Sequence, residues 1–172
     1  MAAERITQRG AAFHDPAQKR SWETTLSWIY DRFISQSLTS AGLAIKAGGG
    51  VLVKTGATTW VGMAEGILVS KAAATDMPAL VGTVVNATFN VFAFYVNSAG
   101  TVRSQMGVAG ATLAAVGFPA PNDGEALIGF IVVNPTGAGN FVGNTTALDD
   151  VGVVPNVVYV NPVGAFDPTA TY

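Results

Sequence analysis

Asn90-Val91-Phe92-Ala93-Phe94-Tyr95-Val96-Asn97 is the stretch on which the reading of the fold turns. It packs β-branched and aromatic residues into a short run between two asparagines, which is the pattern of a strand. Alternation places Val91, Ala93 and Tyr95 on one face and Phe92, Phe94 and Val96 on the other. Both sets are apolar, so both faces are expected to be covered. Leu127-Ile128-Gly129-Phe130-Ile131-Val132-Val133 reads the same way. Two such strands predict a sandwich core or a sheet buried against a neighbour, with Phe92, Phe94, Val96, Ile128, Phe130 and Val132 inside.

Outward from these runs, Val, Ile, Thr and Phe dominate from Ala44 onward, broken by Gly, Asn, Pro and Ser. The pattern predicts strands over 51–54, 59–70, 79–87, 88–97, 101–106, 126–134, 140–143 and 156–161. One phrase recurs as Val96-Asn97-Ser98-Ala99-Gly100, Val133-Asn134-Pro135-Thr136-Gly137 and Val160-Asn161-Pro162-Val163-Gly164. Asn bonds back to the chain, Pro presets φ and Gly accepts a positive φ, so each phrase marks a strand end. The fold class is mainly β: an antiparallel β-sandwich or barrel, jelly-roll-like, with an N-terminal arm and one short helix.

The N-terminal part is written differently. Residues 1–32 hold 9 of the 20 charged residues, against six from Met77 to the end. Residues 1–20 show no sustained apolar period and read as an arm. Ser21 can cap a helix in which Trp22, Leu26, Ile29, Tyr30 and Phe33 form one apolar stripe. The composition shift divides the chain into an arm and amphipathic helix over 1–44 and a β-rich body over 45–172. The stripe is the candidate partner-binding surface, because aromatic anchors concentrate binding energy; the competing account packs the helix on its own body.

Charged residues make up 12% of the chain, about half the usual quarter, while hydrophobic residues make up 49%. So little charge over the body predicts a homo-oligomer rather than a solitary subunit. A net charge of −2 leaves no basic excess for neutralising phosphates, so direct nucleic-acid binding is not expected. No leader is visible after Met1, and the apolar runs are too short to span a bilayer as helices, so no membrane is expected. The absence of Cys excludes disulfides and thiolate chemistry. His14, the one histidine, lies in the arm before Asp15-Pro16, from which recruitment into a Ser-His-Asp triad is not expected.

Two carboxylate pairs remain, Asp123 with Glu125 around Gly124 and Asp149 with Asp150. Neither has the spacing of a calcium loop, and both are expected as solvated turn residues, although Asp149 and Asp150 leave a cation open. Gly48-Gly49-Gly50 lacks the Lys-Ser/Thr of a phosphate loop. Trp60, Phe89, Phe92, Phe94 and Tyr95 are expected in the core, with sugar stacking as the other use of such rings. No catalytic set, metal site or cofactor site emerges, and the chain is not expected to be an enzyme.

Leu127-Ile128-Gly129-Phe130-Ile131-Val132-Val133-Asn134-Pro135-Thr136-Gly137, Phe141-Val142-Gly143, Thr145-Thr146-Ala147-Leu148-Asp149 and the ending Val158-Tyr159-Val160-Asn161-Pro162-Val163-Gly164-Ala165-Phe166-Asp167-Pro168 resemble segments of structural proteins of tailed-bacteriophage virions. The likeness covers roughly residues 75–170 and resembles capsid decoration (cement) proteins and head fibres. It implies a subunit of the phage head, a trimeric homo-oligomer, that binds across major capsid protein subunits and carries no active-site residues. The alternative is a fibre or tail module that binds host-surface glycan.

Overall fold

The computed structural model describes residues 22–26, 30 and 33–166. Residues 22–26, 30 and 33–34 are helical. The strands are β1 (Gln36–Ser37), β2 (Ala44–Ile45), β3 (Val53–Lys54), β4 (Trp60–Ala64), β5 (Ile67–Lys71), β6 (Thr83–Val84), β7 (Asn90–Val96), β8 (Val102–Met106), β9 (Ala126–Val133), β10 (Phe141–Val142) and β11 (Val157–Val160). The protein is mainly β, with antiparallel pairings throughout the described strands and one short helix. Four strands form the principal sheet in the order β11-β9-β7-β8; the smaller sheets are β1-β4-β5, β10-β6 and β2-β3. The sheets remain open, so the barrel alternative gives way to a sandwich-like layering.

The core explains the layering. Phe92, Phe94 and Val96 of β7, with Ile128, Ile131 and Val133 of β9, are fully buried on the inner face of the principal sheet. Trp60 of β4, Val53 of β3, Val84 of β6 and Phe141 of β10 complete the same cluster. Every small sheet therefore contributes to one core, which is how strands of two residues persist. Phe92 meets Phe141 edge to face at 5.9 Å, a favoured aromatic geometry.

β9 departs from strict alternation. Phe94 faces Gly129 but Tyr95 faces Leu127, so Ile128 is an extra residue opposite β7. This bulge turns Ile128 inward beside Ala126, while Phe130 and Val132 face outward. Of the six expected core residues, five are buried; Val132 is half-buried, because its face of the sheet is only partly covered.

The expected strand over 59–70 is a hairpin. Glu65 and Gly66 both take positive φ, 53° and 74°, and form the two-residue turn between β4 and β5. The Gly66 N–H donates to the Ile34 carbonyl at 2.8 Å, and the Glu65 N–H to Ser35 Oγ at 3.2 Å. These bonds fasten the end of the helix to the turn. Residues 36–44, grouped by composition with the leader, pack with the body: β1 pairs with β4, and Ala41 and Leu43 are core residues.

Candidate interaction surface

Opposed residues of an antiparallel pair share a face. The outer face of the principal sheet thus carries Val91, Ala93 and Tyr95 of β7, Leu127, Phe130 and Val132 of β9, Val158 and Val160 of β11, and Arg103 and Gln105 of β8. Among the described residues, the segment between β8 and β9 and Phe166 lie over it. The Tyr95 hydroxyl donates to the Pro119 carbonyl, and Phe118 meets Phe130 edge to face at 5.0 Å. Phe166 stacks on the same Phe130 ring at 5.9 Å. The rest of the face is an open apolar groove of about 530 Å³, with Phe89, Val91, Val132 and Val158 in its wall and Leu113 at its border. Among the described residues no charged side chain lines it. Its polar groups come from Asn134 and Asn156, and the Asn134 Oδ1 is buried without a hydrogen-bond donor among the described residues.

The other end of the face is closed by a polar network. Arg103 Nε donates to both Glu125 oxygens at 2.7 and 2.9 Å, and its guanidinium lies 4.8 Å over the Tyr95 ring. The Asn122 N–H donates to Glu125 Oε2 at 2.8 Å. Burial alone would raise the Glu125 carboxyl, but the bonds from Arg103 and Asn122 outweigh it and hold the group below its ordinary value. The bond to Glu125 raises the Arg103 guanidinium, and burial pushes the Tyr95 phenol up. Glu125 is therefore a buried partner of Arg103 instead of the solvated turn residue expected.

The remaining chemistry-bearing residues have structural duties. Asp149 accepts the Gly49 N–H with both oxygens, at 3.1 and 2.9 Å, and so holds the Gly48–Gly50 turn. Asp150 Oδ1 accepts the Gly152 N–H at 2.9 Å. Among the described residues no group of three or more His, Asp or Glu side chains gathers around a point. His14 lies outside the described residues. Trp60, Phe92, Phe94 and Tyr95 are buried, and Phe89 is half-buried in the groove wall.

The helix stripe faces solvent. Trp22, Leu26, Tyr30 and Phe33 are 54, 55, 64 and 61% exposed, whereas Ile29 and the expected cap Ser21 lie outside the described residues. Double-sided apolarity in β7 predicts cover on both faces, from a second sheet or from a neighbour, and does not give the bounds of the groove. Val158 and Val160, alternating with Val157 and Tyr159, carried the available signal. No described helix is long and apolar enough to cross a membrane. No protein family matches the chain, and no similar protein was found among curated sequences or solved structures.

Proposed function

We propose that this chain is a virion structural protein: a capsid decoration, or cement, subunit that stabilises a phage head by binding across major capsid protein subunits as a homo-oligomer. The observation that carries this reading is exposed apolar surface, in the groove and along the helix stripe. Such a subunit acts by burying area, and exposed apolar patches of this kind mark interaction sites. Its Arg, Glu and Asp side chains around the sheet and the Gly48–Gly50 turn serve internal bonds, in keeping with a structural role. The buried aromatics favour this reading over glycan stacking, which needs rings at exposed loop tips.

In this reading the helix stripe docks on the capsid and the β body makes the oligomer. A three-fold order comes from the sequence resemblance alone. The test is binding of labelled protein to phage heads that lack it, followed by imaging. Full-length protein is expected on the capsid surface, and a Leu26→Glu/Tyr30→Glu variant is expected to lose binding at least tenfold. Labelled protein found only on tails or fibres, or undiminished binding by the variant, defeats the assignment.

A further inference from the structure

We infer that Glu65 is a positioning residue for the helix: its side chain locks the tip of the β4–β5 hairpin to the principal sheet, and the tip in turn holds the helix stripe at a set angle to the body. The inference deepens the proposed function and rests on it only for what the stripe docks on.

The backbone of Glu65 is the first observation. Its φ of 53° is a conformation that Asn, Asp and Gly adopt readily and Glu does not. Strain of this kind persists where the surroundings over-determine it, and it clusters at clamps and switches. The Glu65 N–H donates to Ser35 Oγ at 3.2 Å. The adjoining Gly66 N–H donates at 2.8 Å to the Ile34 carbonyl, one of those that a helix end leaves free. On its other side the Glu65 carboxylate accepts the Ser98 hydroxyl at 2.5 Å. The side chain also lies on Gly124, where a Cβ would come within 2.2 Å of Glu65 Cγ. Asp or Asn would meet the φ with one methylene less to span to Ser98.

Both attachment points are themselves held. Ser98 sits in the turn between β7 and β8, where Asn97 accepts the Gly100 N–H on its carbonyl and the Thr101 N–H on its side chain, each at 2.9 Å. Gly124 sits in the turn before β9, closed by the Glu125 N–H donating to the Asn122 carbonyl at 3.1 Å. The far end of β5 is fastened separately, by Lys71 Nζ donating to the Gly100 carbonyl. Glu65 thus joins the end of the helix to the ends of β7, β8 and β9. A stripe already held in place docks without first losing its freedom of direction, which raises affinity.

The chain has no Cys, so two introduced thiols carry spin labels at chosen sites alone. Leu26→Cys on the helix and Val81→Cys on the body, at positions 55 and 76% exposed, are labelled in the full chain, and their separation is measured by double electron–electron resonance. This background is expected to give one narrow distribution of distances. Glu65→Gly keeps the turn, because Gly accepts the φ, and Ser98→Ala removes the donor; each is expected to at least double the width. Glu65→Gln keeps an oxygen for Ser98 and is expected to restore the narrow distribution. A merely stabilising contact would lower the melting temperature without broadening the distances. A broad distribution in the parent, an unbroadened Glu65→Gly or Ser98→Ala, or a Glu65→Gln as broad as Glu65→Gly overturns the inference. Should Glu65→Gly misfold, Ser98→Ala decides. Binding of the unlabelled chains to phage heads is read separately, and Glu65→Gly is expected to bind at least tenfold more weakly than wild type. Undiminished binding by Glu65→Gly overturns the docking role of this contact. A wild type that binds no heads defeats the proposed function and leaves the distance result standing.

Discussion

Glu125 shows how one residue of a turn becomes part of the fold. Its carboxylate joins Arg103 to the Asn122 turn beneath Tyr95. Because its folded pKa lies below the ordinary 4.5, its contribution is complete above that value and is lost as pH falls through the folded pKa. Urea midpoints should therefore hold down to about pH 4.5 and decline below it, more steeply in the wild type than in Glu125→Gln. At neutral pH that variant should lose about 1–3 kcal/mol, since Arg103 keeps its charge without its partner. Gly129 is constrained by space. A Cβ there would sit 2.7 Å from Leu43 Cδ1 and 2.8 Å from the Val160 carbonyl oxygen. Gly129→Ala should cost about 1–3 kcal/mol in the same assay, because β11 would have to move.

At the scale of elements, the bulge in β9 separates what is buried twice from what is buried once. Phe92→Ala, in the shared core and against Phe141, should cost about 3–5 kcal/mol in equilibrium unfolding. Val132→Ala, in the groove wall, should cost about 1 kcal/mol or less in the monomer. Equal losses would contradict the two-face description. β7, β8 and β9 were legible because each is a continuous strand pattern longer than four residues. The β4–β5 turn was not, because Glu65 adopts positive φ without being Asn, Asp or Gly. The three Asn phrases look alike in sequence and end three strands, yet their side chains part ways. Asn97 accepts from Thr101 four residues on, Asn161 accepts from distant Leu43, and the Asn134 oxygen is left unmatched. Turn chemistry is local and could be read; the partner of Asn161 and the vacancy beside Val132 depend on tertiary contacts. The helix stripe was visible as a period, whereas the groove arises from the short cover that the 107–120 segment gives the sheet.

At the scale of the molecule, charge is sparse, and among the described residues none of it lines the groove. Ser37 carries a different consequence. Its hydroxyl donates to the Leu127 carbonyl at 2.6 Å and accepts from Trp60 Nε1 at 3.1 Å, while its carbonyl accepts the Gly164 N–H at 2.7 Å. β1, the first of the described strands, thus waits for Gly164, far along the chain, before its bonds are complete. Contacts so distant along the chain make closure slow, on the scale of milliseconds to seconds. Until Gly164 has been synthesised, the Ser37 carbonyl lacks that bond and the nascent body keeps an open seam.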